Sequence, residues 1–316
     1  MQLDPWLFGP EAVDPETAAF NAKLQGIAAD APDLRMVRPE ILREQRARGE
    51  SIFGVFPTSD RGLDRTIDGP AGPLPLRQFV PAGAARGVYL HFHGGGWVVG
   101  TNREQDVRNA VLADRHGIAV VSLDYRLAPE DPYPAAPDDC EAAAVWLVER
   151  CMAEFGTDRI AIGGESAGAH LAVVTLLRMR DRHGYSGFRA ANLAYGAYDL
   201  ALTPSAANWG DVPLILSTGT LEWFQDAFVD RARTRDPDVS PLYADLRAMP
   251  RALLTVGTLD ALLDDSLFMA QRWIAAGNQA ELVVYPGGVH AFDYFRELTL
   301  GRAAIAKIEG FLAGAL

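Results

Sequence analysis

Cysteine is nearly absent from this sequence, with two in 316 residues. Cys140 and Cys151 fall on one expected helix, about 16 Å apart at the helical rise and far beyond disulfide reach. They read as two reduced thiols, which suits a reducing compartment, so the expected location is the cytoplasm. Positive charge is also short: 29 Lys and Arg stand against 41 Asp and Glu, for a net charge of −12 and a pI near 5.0. Nucleic acid and anionic membranes would be repelled, so neither is an expected partner, and solubility is the simpler use of the charge. No apolar run approaches membrane-spanning length. The start, Met1-Gln2-Leu3-Asp4-Pro5-Trp6, lacks the positive charge and apolar stretch of a secretion signal. Internal repeats and low-complexity tracts are missing as well. What remains is 49% hydrophobic, enough to bury a sizeable core in one large α/β domain with insertions or in two small domains.

The first 60 or so residues differ from the rest. Asp14 before Pro15 reads as a helix cap, with Phe20, Leu24 and Ile27 following at helical spacing. A second helix is expected from Pro39 to Ala47, closed by Gly49. Two narrow apolar stripes cannot form their own core, so these helices should lie on something larger. The polar, Gly- and Pro-rich stretch from Asp60 to Pro75 reads as a linker. Leu76–Val80 and Gly87–His93 then read as two strands of a hairpin at a sheet edge. Further strands are expected over 118–123, 159–163, 190–195, 252–257 and 281–285. Helices are expected over 105–116, 138–155, 167–182, 264–276 and 300–312. Alternation of this kind, with strands apolar throughout, predicts an α/β fold with a mostly parallel sheet and helices on both faces. Residues 203–238 break the rhythm with Pro204, Trp209, Pro213 and a helix carrying Leu221, Phe224 and Phe228 on one face. This insertion is a candidate lid.

Three groups of residues carry chemistry. Gly164-Glu165-Ser166-Ala167-Gly168 lies between an apolar strand and an Ala/Leu/Val-rich helix, the setting of a nucleophile elbow, although a capping serine in a Gly-rich turn has the same composition. His91-Phe92-His93-Gly94-Gly95-Gly96-Trp97 ends a strand with glycines that can bring backbone N–H groups up to a substrate oxygen. A dinucleotide fingerprint would need a glycine where Val99 stands, and a metal pair at His91 and His93 would lack a nearby carboxylate or cysteine. Asp260 and His290 each follow a strand, where open α/β sheets build their sites. An aspartate there is often only a cap and a histidine only a turn residue. With Ser166, however, they give the chain order Ser, Asp, His of α/β-hydrolases.

Taken together, HFHGGG at 91–96, DYRLAPE at 124–130, YPAA at 133–136, GESAG at 164–168, DALLD at 260–264 and HAF at 290–292 resemble the hormone-sensitive-lipase family of α/β-hydrolases, the bacterial family IV carboxylesterases. The resemblance spans about 75–315. It implies a catalytic domain over 61–316, with residues 1–60 and the insertion 203–238 as a helical cap. It also implies Ser166 as nucleophile, Asp260 and His290 as its partners, and the N–H groups of Gly95, Gly96 and Ala167 as an oxyanion hole. The expected activity is hydrolysis of small-molecule carboxylic esters, with no cofactor and no metal; family members are often dimers, which leaves a homodimer open. Glu165, Ala261 and Ala291 depart from the family's commoner Asp or Thr, Pro and Gly. Asp124 and Arg126 are expected to form an ionic strut under the oxyanion loop, and Asp264 and Asp265 to cap the following helix, with Asp264 the rival for the triad acid. Trp97, directly after the glycines, and Trp209, Trp223, Phe224 and Phe228 of the insertion are expected to wall the pocket and favour short acyl chains. An amide or formamide hydrolase on the same machinery stays open, as does, from another class, a receptor like those for plant gibberellins, which have lost the histidine.

Overall fold

The computed structural model describes residues 3–30, 33–212 and 214–316, so Met1, Gln2, Ala31, Pro32 and Pro213 lie outside the described residues. Helix α1 (Pro15–Asp30) starts where Asp14 Oδ1 accepts from the Thr17 N–H at 3.0 Å, and α2 (Pro39–Ala47) starts on a proline at its first turn. Strands β1 (Leu63–Gly69), β2 (Gly72–Phe79), β3 (Gly87–Phe92), β4 (Ile118–Leu123), β5 (Ile160–Glu165), β6 (Ala190–Ala194), β7 (Arg251–Leu259) and β8 (Ala280–Val289) form one sheet among these residues, ordered β1-β2-β4-β3-β5-β6-β7-β8. The connecting helices are α3 (Asp106–His116), α4 (Ala135–Phe155), α5 (Ala167–His183), α6 (Pro204–Asn208), α7 (Thr218–Phe228), α8 (Leu263–Ala275) and α9 (Thr299–Ala315).

From β4 through β8 the sheet is parallel, and every residue of β3, β4, β5 and β6 is buried, as strands covered on both faces require. Alternation along β3 assigns the layers. Val88, Leu90 and Phe92 share one apolar cluster with Leu147 of α4 and Leu171 of α5. Tyr89 faces the other way, into a cluster with Leu112 of α3 and Leu312 of α9. Cys140 and Cys151 are buried, unpaired thiols on α4.

The expected linker at 60–75 is instead largely β1 and the start of β2. Its polar composition reflects an edge strand that buries only Ile67, so it lacks the apolar run that marks the central strands. Nor do β2 and β3 form a hairpin. β2 pairs antiparallel with β1 and β4, and β3 lies between β4 and β5, because a strand apolar on both faces belongs in the sheet interior.

Asp264 and Asp265 reach away from α8 to hold the start of the 203–238 insertion. Asp264 accepts from the Ser205 N–H at 2.8 Å. Asp265 accepts from the Tyr198 and Asp199 N–H groups at 2.6 and 2.9 Å and from the Thr203 hydroxyl at 2.6 Å. Complete burial outweighs these donors and pushes the Asp265 carboxyl up from 3.8 to about 7. The folded chain therefore keeps a proton that the unfolded chain releases. This contribution to stability is complete below about pH 4 and is lost as pH rises through about 7. Urea midpoints measured across that window should fall with pH more steeply for the wild type than for Asp265→Asn; parallel curves would remove the assignment.

Candidate active site

The turn between β5 and α5 is built by one close approach. Ser166 sits at φ 55°, ψ −118°, a region a side chain rarely occupies. Holding it there brings the backbone on both sides against β3: a Cβ on either Gly164 or Gly168 would be driven into the Phe92 carbonyl oxygen. Glycine at the second neighbours of the serine is thus a steric necessity. The Ser166 N–H is tied to the Ala194 carbonyl at 2.9 Å, and the His170 N–H to the Ser166 carbonyl at 3.1 Å, so the elbow is held by β6 and by the first turn of α5.

Asp260 follows β7 and His290 follows β8, and the parallel sheet carries both to the edge where Ser166 stands. His290 Nε2 lies 2.9 Å from Ser166 Oγ. Its Nδ1 lies 2.9 and 3.1 Å from the two Asp260 oxygens. An ionised aspartate on Nδ1 places the ring proton there and leaves Nε2 to accept from the serine hydroxyl. Asp260 also accepts from the Leu262 N–H at 2.9 Å. It is fully buried and His290 is 4% exposed, so their electrostatic interaction is little screened. Asp264 touches neither, being engaged with Ser205. Ala291 sits at φ 58°, the left-handed region that favours glycine, so this departure from the family motif is accommodated at a cost of roughly 1 kcal/mol.

Beside the serine, Gly95 and Gly96 adopt φ 121° and 59°, and their N–H groups have no acceptor among the described residues. Ala167 opens α5, where an N–H has no preceding turn to bond. The loop is held from behind by the Val98 and Val99 N–H groups on the Gly95 carbonyl. From α2, Arg43 donates to the Val98 and Ala128 carbonyls at 2.7 Å each. The expected Asp124–Arg126 strut is absent among the described residues. Asp124 accepts from the Asn102 N–H at 3.2 Å, while Arg126 pairs with Asp139, buried near the start of α4, at 2.8 Å.

Beneath the elbow lies a buried polar cluster that the sequence did not announce. Glu165 Oε2 meets His91 Nε2 at 3.0 Å, and His91 Nδ1 meets the Ser122 hydroxyl at 2.8 Å. Arg108 of α3 spans Glu165 at 3.6 Å and Asp293 at 2.9 Å. Tyr195 donates to Asp293 and sets its ring 4.9 Å from that of His290. Burial acts to raise the Glu165 carboxyl, but the charges of His91 and Arg108 prevail and hold it below the usual range. For Asp293 burial wins and the carboxyl is raised, with Arg108 opposing. His93 bonds its own loop through the Gly94 carbonyl and stacks 4.2 Å from Tyr125. The signal for this cluster in the sequence was Glu165 itself, an acid at a position where a strand is buried on both faces.

A cavity of about 350 Å³ opens over Ser166 and His290. It is lined by the N-terminal segment, among others Leu42, Ser51 and Phe53, and by Leu216, Leu221, Phe224 and Gln225 of the insertion. Phe224 reaches the glycine loop: a Cβ on Gly96 would run into its ring. Trp97 borders the cavity, but its indole is 3% exposed, donates to His170 Nδ1 at 3.1 Å and stacks 4.6 Å from Phe228. Phe228 is buried in that stack, Trp223 faces a separate hollow with Met36 and Pro129, and Trp209 packs on the core with its Nε1 donating to the Val212 carbonyl at 3.3 Å. Of the five aromatics expected to wall the pocket, the structure brings Phe224 fully to it. On α7 the cavity face repeats at 220, 221, 224 and 225, which turns 223 outward.

The family model described as alpha/beta hydrolase fold matches residues 89–294, and the chain belongs to that family. Its resemblance to the hormone-sensitive-lipase branch stands with this match. The carboxylic ester hydrolase LipN of Mycobacterium tuberculosis is 36% identical over 275 residues, covering 82% of this chain and 72% of the relative. An ethyl acetate hydrolase of Pseudomonas putida is 33% identical, covering 69% and 71%. The esterase of the archaeon Pyrobaculum calidifontis superimposes with a TM-score of 0.85 at 32% identity, covering 95% of this chain and 99% of that one.

Removing Arg108 would take away the cation that spans the two buried carboxylates of Glu165 and Asp293. Arg108→Met should therefore lower the unfolding free energy by about 3–5 kcal/mol, read from urea denaturation at neutral pH. A loss under about 1 kcal/mol would mean that the cluster is not held by this charge.

Proposed function

We propose that this chain is a carboxylic ester hydrolase that works through a covalent acyl-enzyme, with Ser166 as its nucleophile. The observation that carries the reading is the 2.9 Å approach of His290 Nε2 to Ser166 Oγ, with Asp260 on the far ring nitrogen, in a chain whose relatives bear ester-hydrolase names. Ser166 Oγ attacks the acyl carbon as its proton passes to His290. Asp260 keeps the ring in the productive tautomer and stabilises the imidazolium. The N–H groups of Gly95, Gly96 and Ala167 receive the oxyanion, helped by the partial positive charge at the start of α5. The tetrahedral intermediate collapses as His290 protonates the departing alkoxide. Water, activated by the same imidazole, then releases the acid. A histidine hydrogen-bonded to the serine favours this enzyme over a non-catalytic receptor.

In this reading, residues 61–316 are the catalytic domain, and residues 1–60 with the insertion 203–238 form its cap. Support comes from the cavity, to which both segments contribute alongside Ser166. The unpaired thiols of Cys140 and Cys151 suit the cytoplasm as the working compartment. Short acyl groups are the proposed substrates, supported by the Phe224 ring over Gly96 and by the ethyl acetate hydrolase among the relatives.

Two measurements test this. Ser166→Ala should lose about 10⁴ to 10⁶ in turnover with burst acylation abolished, and Asp260→Asn should lose up to about 10⁴ and Asp264→Asn far less. Equal losses at 260 and 264 would reject the chosen carboxylate. The second is the acyl-length profile from acetate to decanoate. Each buried methylene contributes about 0.8 kcal/mol until the wall is met, so the optimum should fall at short chains and move to longer ones in Phe224→Ala. A wild-type optimum at ten carbons would overturn the short-chain proposal.

A further inference from the structure

The cavity is mostly apolar, and most of its polar side chains are already engaged. Arg46 pairs with Glu104 at 2.6 Å, Glu50 with Arg48 at 2.8 Å, the Thr220 hydroxyl with Ser217 at 3.0 Å, and Tyr195 with Asp293. Two groups are not. Gln225 lies on the cavity face of α7, directly after the Phe224 that covers Gly96, and is 9% exposed. Its carbonyl closes the helix end by accepting from the Val229 N–H, while its side-chain amide makes no hydrogen bond among the described residues. Ser51, in the turn that follows α2, lines the same cavity with its hydroxyl buried and without a partner.

Such groups are costly to cover with hydrocarbon. An alkyl arm of a bound ester would displace water from the Gln225 amide and give nothing in return, and the Ser51 hydroxyl, closed to that water, would stay unmet. An arm carrying its own oxygen would replace those bonds. Discrimination then runs strongly in one direction, because a site built to hydrogen-bond a substrate group rejects the analogue lacking it far more than it rejects a missing methylene. We propose that Gln225 and Ser51 select esters that bear a second hydrogen-bonding oxygen, a hydroxyl or keto group, away from the scissile linkage. The substrate class is thus oxygenated short esters rather than plain alkyl ones, a conclusion that rests on the ester-hydrolase reading above. Each residue contributes a group that both donates and accepts, so a hydroxyl and a keto oxygen are both matched.

The test compares matched pairs, each rate divided by that of hydroxide-catalysed hydrolysis to remove intrinsic reactivity. Ethyl butanoate against ethyl 3-hydroxybutanoate and ethyl acetoacetate varies the acyl arm; propyl acetate against 2-hydroxyethyl acetate varies the alcohol arm. The wild type should prefer the oxygenated member on at least one arm by about tenfold or more in kcat/KM. Gln225→Met or Ser51→Ala should collapse that ratio toward one. Because the ratio is read within each variant, a general loss of activity cancels; should the methionine variant fail to fold, Gln225→Asn, which keeps the amide but shortens its reach, should also reduce the ratio. Equal normalised rates on both arms of the wild type would overturn the proposal, as would a preference that survives in the double variant. If no ester of the set were hydrolysed at all, the ester-hydrolase reading itself would fall, whereas turnover of the alkyl members without any preference would overturn only the selection argued here.

Discussion

The packing of the Phe92 carbonyl against the backbone of Gly164 and Gly168 is the constraint on which the rest of the site depends. It allows β3 and the β5–α5 turn to approach without side chains between them, and it fixes Ser166 in its left-handed conformation. Since β3 continues directly into the glycine loop at 94–96, the same contact sets the height of the proposed oxyanion donors relative to the serine. Strain of this kind persists only where the surroundings over-determine it. Here bonds from β6 and α5 close on the turn from either side, and a core buried on both faces prevents the strands from separating.

The charged cluster below the elbow follows from the same geometry. Glu165 is the last residue of β5, and the alternation of the strand directs its side chain into the layer occupied by α3 and His91. A carboxylate there must be compensated. Arg108 and His91 supply the compensation, and Asp293 and Tyr195 extend it to the ring face of His290. A replacement of the family's more usual Asp or Thr by Glu is thereby absorbed without loss of a reacting group. Within the cluster Arg108 Nη2 alone has no partner among the described residues, and the remaining contacts brace the floor on which serine and histidine meet.

Two segments far apart in the chain close the cavity from above. Arg43 of α2 binds carbonyls of the stretch after the glycine loop, and Arg46 pairs with Glu104, so the N-terminal segment is tied to the glycine-loop side of the cavity. Asp264 and Asp265 tie the start of the insertion to α8, close in sequence to Asp260. Each half of the proposed cap is thus anchored beside a different part of the site.

Much of the fold was legible in the residues alone. Strands buried on both faces declare themselves as short apolar runs, and glycines around Ser166, with Asp260 and His290 after later strands, mark the site because the turn and the chemistry tolerate few other residues. The sequence by itself determined a mostly parallel sheet with helices on both faces, the α2 boundaries and the placing of Asp260 and His290 directly after strands. Only the tertiary structure decided the rest. The polar edge strand β1 was invisible because one exposed face carries no periodic signal, and β2 found its partners through sheet position rather than chain proximity. The aromatics of the insertion looked alike until helix phase sent Phe224 to the cavity, Phe228 behind Trp97 and Trp223 outward. Likewise, Arg126 could be seen to need an anion but not which one, and Gln225 and Ser51 gain meaning only from what fails to surround them. These are matters of which side chains meet across long stretches of chain, and local composition does not encode that.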